Sequence, residues 1–438
     1  MKKSIVLLGI ILILSGCSNK TDSIQTIQLT NTTTPQSIVF NKDVEEEDLS
    51  FDRIPDSELI KEVTISAVGD IMVHQWQITR AYNEKTDEFD FSDAFKHIAP
   101  YLQRADLTVG NLETTFGGKD NGIRMANSFY FRGYTGYPCF NTPEILAYNL
   151  KDAGFDLLST ANNHSLDSRA IGVINTLDFL DDAGLEYVGT HRNQEEKETI
   201  KIKEINDITF GFGAYTYGTN GLVVPADRPY LVNTLDMYNP VKIAQMIEDI
   251  KVMSPLVDFV VVFIHFGNEY FDHPNDHQRR IVDQLFEAGA DVILGSHPHV
   301  LQPIEIRQIK DGEEERTGVV IYSLGNFISS QRYSTNRPKD TDIGMIFDIH
   351  FEKIYNDKPT ISGISIIPTM THWNSEAVSV IPVNEVYENL DATDIKLSNF
   401  ERERLKYSYT NSFKHLISYL NDITYHYEDY IYTININE

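Results

Sequence analysis

Asp258-Phe259-Val260-Val261-Val262-Phe263-Ile264, followed at once by His265, decides how the rest of the chain reads. After its first residue the run is wholly apolar and mostly β-branched. A strand with no polar side belongs in a sheet covered on both faces, as parallel strands joined by helices are. Downstream, Asn275–Ala288 has helical spacing and closes at Gly289. It leads into the strand Asp291–Leu294, which ends at Gly295-Ser296-His297-Pro298-His299. Val319–Ser323 follows as another strand and ends at Gly325-Asn326. Upstream the pattern repeats. Val63–Val68 ends at Gly69-Asp70, and Asp106–Val109 ends at Gly110-Asn111. The helix Thr142–Ala153 closes at Gly154 before the strand Phe155–Ser159. Asp167–Ala183 closes at Gly184 before Leu185–Val188. This alternation predicts a layered α/β domain with parallel strands.

Past Gly344 the period changes. Met345–Phe351 and Thr360–Pro368 alternate with period two around a polar turn, which predicts an antiparallel hairpin. Leu397–Asn421 reads as helix. Tyr425, Tyr427, Tyr430 and Tyr432 behind it are expected to pack an amphipathic cap. The organisation expected is a main domain over 62–385 and a C-terminal helical cap over 386–438.

The N-terminus reads as an address. Lys2 and Lys3 precede an apolar run from Ile5 to Leu14. That run is too short for a bilayer of about 30 Å, which needs about 20 residues. Leu14-Ser15-Gly16-Cys17 resembles a bacterial lipobox, which implies a signal peptide over 1–16 and diacylglycerol on the Cys17 sulfur. The mature chain is then expected at the extracytoplasmic face of the cell membrane, lipid-anchored. Residues 17–61 are polar, with Asp43, Glu45, Glu46, Glu47 and Asp48 nearly consecutive. Such a segment buries too little apolar surface to offset its ordering entropy and is expected to act as a tether. A short strand at Ser37–Phe40 fits within it.

Composition excludes several function classes. The 438 residues carry 64 acidic and 37 basic side chains, a formal net charge of −27. Phosphate binding needs a Lys/Arg excess, so no nucleic-acid partner is expected. An anionic polymer or lipid surface is equally disfavoured unless basic groups or metal ions gather locally. Two cysteines exclude a disulfide scaffold and a Cys-rich metal cluster. With Cys17 lipidated, Cys139 is expected to be unpaired and structural.

The chemistry-bearing residues fall just after the strands, where open α/β sheets place their ligand sites. Asp70 and His74 follow the first strand, and Asn111 and Glu113 the second. Asn162, Asn163, His164 and Asp167 follow the third. His265 and Glu269, then His297 and His299, then Asn326 follow the others. Singly, such a residue is usually a cap or turn former; Asp167 suits an N-cap and Asn162 a turn. Repeated at six strand ends, they are expected to converge on one rim of one sheet.

Imidazole is the commonest metal-binding side chain, and carboxylates supplement it for divalent ions. In an extended loop, His297 and His299 would point to the same side and reach one ion or flank two. His164 and His265, on separate loops, could complete the set. Three readings stand: a divalent metal site, a metal-free acid/base and oxyanion site, and dispersed structural histidines. His97, His191, His273, His277, His350, His372, His415 and His426 lack this company and read as structural or surface residues.

These segments also carry a family resemblance. Ala67–Asp70, Ala105–Glu113, Ser159–Asp167, His265–Tyr270, Gly289–Glu305 and Tyr322–Phe327 occur in this order. Together they resemble the CapA family of poly-γ-glutamate capsule synthesis proteins, also called PgsA, over roughly residues 62–330. The resemblance implies a fold related to calcineurin-like metallophosphoesterases, a four-layer α/β/β/α sandwich. Those enzymes open with Asp-x-His, whereas Asp70 and His74 are four apart. Their metal-bridging Asp has Asn111 and Glu113 in its place. The resemblance implies that Asp70, Glu113, Asn163, His265, His297 and His299 hold Mn, Zn, Fe or Mg, with His164 as general acid and Asp167 beside it. His74, Asn111, Asn162, Glu269 and Asn326 are expected to face substrate.

Three functions are compatible with this. One is an accessory factor for synthesis or export of poly-γ-glutamate, or another anionic envelope polymer. Arg124, Arg132, Arg332 and Arg337 would then help hold the polymer. The second is a metal-dependent hydrolase of a phosphoester or envelope polymer. The third is a non-catalytic partner of a membrane synthase.

Overall fold

A computed structural model of the chain describes residues 60–436, apart from 127, 236–238, 313, 335–338, 356, 376 and 422. The signal peptide, Cys17, the tether up to residue 59, the strand expected at Ser37–Phe40 and Arg337 lie outside the described residues, which belong to one unit, Ile54–Glu438. Ile60 and Lys61, expected in the tether, already belong to the first strand.

Short elements aside, the chain runs β1 (Ile60–Ile71), α1 (Gln75–Ala81), β2 (Leu107–Leu112), α2 (Ile145–Ala153), β3 (Leu157–Ser159), α3 (Arg169–Asp182), β4 (Glu186–Val188). Next come β5 (Lys201–Ile205), β6 (Ile208–Thr216), α4 (Pro240–Met253), β7 (Phe259–His265), α5 (Asp276–Ala288) and β8 (Val292–Ser296). Then follow β9 (Leu301–Asp311), β10 (Glu314–Leu324), β11 (Asn326–Ile328), β12 (Ile343–Ile354), β13 (Thr360–Trp373) and β14 (Val378–Pro382). The chain closes with α6 (Asn399–Leu416), β15 (Tyr425–Glu428) and β16 (Ile431–Asn435).

The strands form two main sheets. The ten-stranded sheet has the order β15-β16-β13-β12-β1-β2-β3-β4, with β11 beside β1 and β14 beside β13. The six-stranded sheet has the order β9-β10-β8-β7-β6-β5. Along β1, alternation sends Val63, Ile65 and Ala67 to one face, where they meet Phe210, Val261, Phe263 and Ile321 of the other sheet. On the outer face of the large sheet, Leu112, Leu158 and Ile346 pack with Leu146, Leu150, Leu177 and Leu180 of α2 and α3. On the outer face of the small sheet, Val260, Val262 and Ile293 pack with Met246, Ile250, Ile281 and Leu285 of α4 and α5. Both faces of β7 are therefore buried, as its composition requires. The layers are α/β/β/α.

Two glycines let the chain close up around the strand ends, Gly69 between the sheets and Gly295 within the small sheet. A Cβ on Gly69 would lie 1.9 Å from the Gly325 carbonyl oxygen. Without one, Asp70 N–H donates to that oxygen at 2.9 Å and Asp70 registers beside Asn326. A Cβ on Gly295 would lie 2.1 Å from the Tyr322 carbonyl oxygen, so β8 and β10 approach just before His297.

Two expectations are corrected. The strand ends come from two sheets rather than one, since sequence period cannot assign strands to sheets. The residues after 386 are also more than a helical cap. Helix α6 sends Phe413 and Leu416 into the core between the sheets. Residues 425–435 form a hairpin, and β16 pairs antiparallel with β13, Ile364 opposite Ile434. Its turn places Asp429 and Tyr430 at φ 47° and 69°, the conformation that suits a tight hairpin. Tyr432 does pack as expected, stacked on Phe413 with ring centroids 4.0 Å apart. The hairpin β5–β6, the long strand β9 and helix α4 had no counterpart in the sequence reading.

Candidate metal centre

Asp70 ends β1, the Asn111–Glu113 turn ends β2, and the loop Thr160–Asp167 follows β3. From the small sheet, His265 ends β7, His297 and His299 follow β8, and Asn326 follows β10. Both sets meet in one buried cluster. Asp70 Oδ2 accepts from His299 Nδ1 at 3.0 Å and from His297 N–H at 3.4 Å. His265 Nε2 lies 2.8 Å from Asn163 Oδ1.

Glu113 stands at the centre. Its Oε1 is 3.5 Å from His265 Nε2, 3.9 Å from His164 Nε2 and 4.0 Å from His299 Nε2. Neither Glu113 oxygen has a hydrogen-bond partner, and the residue is fully buried. His297 Nδ1 is likewise buried without a partner. Such atoms carry a desolvation cost that a cation would offset. Three groups of side chains bring ligand atoms within 4.8 Å of one another: Glu113 with His265 and His297, Asp70 with Glu113 and His299, and Glu269 with His297 and His299. Glu113 belongs to two of them. Asn111 and Glu113 share a side of the chain, so the longer carboxylate reaches the place that the shorter Asn111 cannot fill with charge.

The electrostatics follow from burial. Burial, and then the neighbouring Asp70 charge, push the Glu113 carboxyl well above the usual range. Burial also acts to raise Asp70, but the His299 hydrogen bond and nearby imidazoles outweigh it and hold Asp70 low. Burial lowers His265 to about 3, and burial with neighbouring imidazoles lowers His297. These rings are neutral, the form that ligates a metal. His265 Nδ1 is 2.8 Å from Ser296 Oγ. Asn111 Nδ2 lies 3.3 Å from the same Nδ1, and Nε2–H donates to Asn163 Oδ1. With a cation bound, Nδ1 would carry the proton toward Ser296 and the Nε2 lone pair would turn to the ion.

His164 and Asp167 form a dyad. His164 Nδ1 is 2.7 Å from Asp167 Oδ2, which also accepts from Phe140 N–H at 2.6 Å. Asp167 is therefore not an N-cap. It faces inward and steers His164, and Ser168 occupies the cap position of α3. The His297–His299 loop is not extended either: the two residues sit at φ 98° and 59°, flanking Pro298. The left-handed backbone, costing roughly 1–3 kcal/mol per residue, still sets the two rings 5.9 Å apart within the cluster.

Several residues expected to face substrate are engaged by protein instead. Asn111 Nδ2 donates to Asp70 at 2.8 Å, and its Oδ1 accepts from Asn162. Asn162 also donates to the Leu112 carbonyl at 2.7 Å and accepts from His164 N–H. Asn326 accepts from His299 and donates to the Thr341 carbonyl at 2.9 Å. These asparagines tie the loops together. His74 caps α1 in the site wall, 3.3 Å from Ser330 N, with its ring edge-on to Phe140. Burial lowers it to about 3. Glu269 lies exposed at the mouth. Sequence reasoning missed Ser296, Phe140, wedged against His74 and His164, and Tyr217, whose ring is 4.6 Å from His297. Ser296 lay within a quoted segment, whereas Tyr217 follows the unrecognised β6. Cys139 is buried and unpaired, its thiol pushed up to about 12 by burial and Asp167, as suits a structural residue.

Among the described residues no helix is long and apolar enough to cross a membrane. Residues 1–18 match the description of a prokaryotic membrane lipoprotein lipid attachment site, so the chain carries a lipid-anchoring signal. Similarity to characterised proteins lies in the domain. The capsule biosynthesis protein CapA of Bacillus anthracis is 28% identical over 284 residues, covering 64% of this chain and 62% of that protein. The PGA biosynthesis protein CapA of Bacillus subtilis is 30% identical over 278 residues, covering 63% and 65%. The chain thus spans less than two thirds of either relative. Among solved structures, the calcineurin-like phosphoesterase YfkN from Bacillus subtilis aligns with 82% of this chain and 99% of that chain, at TM-score 0.36 and 12% identity. The description "Bacterial capsule synthesis protein PGA_cap" matches residues 64–331, a span that holds every site residue from Asp70 to Asn326, and the chain belongs to that family.

Proposed function

We propose that this protein is a lipid-anchored factor on the extracytoplasmic face of the membrane that acts in making or exporting a capsule polymer, poly-γ-glutamate, with a divalent-metal site as its working centre. The observation that carries this reading is the family match, which contains the whole buried cluster around Glu113. Asp70, Glu113, Asn163, His265, His297 and His299 are the residues that would hold the metal. Their mix of carboxylate, amide oxygen and imidazole suits Mn, Zn, Fe or Mg. A divalent ion bound there supplies charge to grip carboxylates and to polarise an amide or phosphoryl oxygen. That resolves the charge conflict, since an acidic protein then meets a polyanion through local cations.

Elemental analysis of the purified chain tests the centre. Near-stoichiometric divalent metal is expected, and full occupancy in the His297→Ala/His299→Ala double variant would sink the ligand assignment. A deletion strain is expected to lose surface polymer. A parent strain that never makes poly-γ-glutamate refutes the capsule role.

The His164–Asp167 dyad favours a second reading, a hydrolase. Asp167 holds the Nδ1 proton, so His164 Nε2 points at the Glu113 side of the site and is placed to give a proton to a leaving group. Turnover in a Mn²⁺-supplemented phosphatase screen that survives His164→Ala removes this role.

A further inference from the structure

The two tryptophans of the chain, Trp76 and Trp373, both rest against one guanidinium. Arg80 Cζ lies 5.4 Å from the Trp76 ring centroid and 5.8 Å from that of Trp373. Arg332 Cζ lies 4.5 Å from the Trp373 centroid. The order Trp76, Arg80, Trp373, Arg332 makes a cationic and aromatic strip. Trp76 is half exposed and Arg332 exposed, so the strip opens to solvent.

The strip starts at the wall of the metal centre. Ser330 N–H reaches His74 Nδ1 at 3.3 Å, and Ser330 Oγ donates to Gln77 Oε1 at 2.9 Å. These bonds lace α1 to the segment after Asn326. The same two segments carry Arg80 and Arg332 outward from His74 and Asn326.

The strip also has unmet hydrogen-bonding capacity. Arg80 Nε donates to the Asn374 carbonyl at 3.1 Å, but its Nη1 is buried without a partner, as is Trp373 Nε1. Among the described residues neither Arg80 nor Arg332 is paired with a carboxylate. Asp90 and Asp93 line the small cleft beside Arg80, yet Asp90 is taken by Ser92 and Asn149. Acids are plentiful in this chain, 64 against 37 bases, and several other arginines are paired with one. Arg104, Arg192, Arg279, Arg307, Arg316 and Arg404 all have acidic partners. Two guanidinium charges held against indoles without a carboxylate among the described residues, one of them exposed at Arg332, favour an anion from outside.

We infer that the Trp76–Arg80–Trp373–Arg332 strip binds carboxylates of an acidic polymer segment as it enters or leaves the metal centre. This rests on the reading that the centre handles an anionic polymer. The exposed Arg332 fork receives a carboxylate, Arg80 adds its charge from behind the indoles, and the methylenes of the polymer lie along the indole faces. The strip needs no metal, so it is a separate contact on the same path.

Because both tryptophans of the chain lie in the strip, intrinsic fluorescence reports on it directly. The full chain in detergent, titrated with poly-γ-glutamate at low salt, is expected to show a saturable emission change. Arg80→Gln/Arg332→Gln should weaken binding roughly tenfold or more and flatten its salt dependence. The exposed Arg332→Gln alone, which leaves the fold intact, should weaken it several-fold, and Arg332→Lys should restore part of the loss. Equilibrium dialysis measures total polymer binding in parallel. If the chain binds polymer by dialysis while its emission is silent and the variants bind equally, the strip is overturned and the functional reading stands. If dialysis shows no binding, the functional reading fails and the strip falls with it. A stronger emission response to a glycerol-phosphate polymer than to poly-γ-glutamate at equal charge overturns the carboxylate assignment.

Discussion

Glu113→Gln separates what the carboxylate does for a metal from what it does to the fold. Both Glu113 oxygens are buried without partners, and Asp70 lies beside them. A buried polar group left unsatisfied costs about 1–3 kcal/mol, and a charged one more. Glutamine keeps the volume, removes the repulsion and supplies an NH₂ donor. In chelator at pH 8 the variant should be more stable than the parent by about 1–3 kcal/mol. The sign with pH follows from the raised carboxyl: the folded state prefers the protonated form. Stability is complete below the ordinary carboxyl range and is lost as pH rises through the raised value. The advantage of the variant should therefore grow from pH 5 to pH 8. A metal reverses the order. Divalent ion at one hundred times its Kd stabilises the parent by about 2.7 kcal/mol, and the variant should gain little of this. Thermal unfolding with chelator and with Mn²⁺, at both pH values, measures all four cases. A variant that is destabilised in chelator at every pH, or that gains the same protection from Mn²⁺, refutes the reasoning.

Other perturbations test other parts of the molecule. Burial pushes Asp348 to about 6 against Ser66 and Arg104, from an ordinary 3.8. At about 1.4 kcal/mol per pH unit, the parent should lose roughly 3 kcal/mol between pH 4 and pH 7, and Asp348→Asn should flatten that decline in urea titrations. An unchanged slope would exclude Asp348 as its source. Phe413→Ala should cost about 3–5 kcal/mol in one cooperative transition, because Phe413 is buried against Tyr432. A separate early melt of the C-terminal residues would show that they do not share the core. Cys17→Ser should move the chain from the detergent phase to the aqueous phase on partitioning, and retention in detergent would exclude lipid on that sulfur.

Much of the site was legible because it follows a rule of position. Parallel strands place their functional residues at the carboxyl ends, so Asp70, Glu113, His164, His265, His297 and His299 could each be named from a preceding apolar run. Roles were less legible than membership. Asn162 and Asn326 looked free to face substrate, but their side chains bond to Asn111, Leu112, His164, His299 and Thr341. Asp167 looked like a helix cap and instead steers His164. The hairpin at 425–435 was hidden because its tyrosines repeat at a period that also suits an amphipathic surface.

The sequence by itself determined the strand-then-ligand pattern, the lipid-anchoring signal, the acidity and the family, since each depends on residue order or count. Only the tertiary structure decided that Glu113 is the shared centre, because that depends on where two sheets meet. Gly69 allows the close approach, yet nothing local to it shows which carbonyl it meets. The same holds for Arg80: a helical arginine becomes a guanidinium held between two indoles only when Trp373, 293 positions away, folds against it.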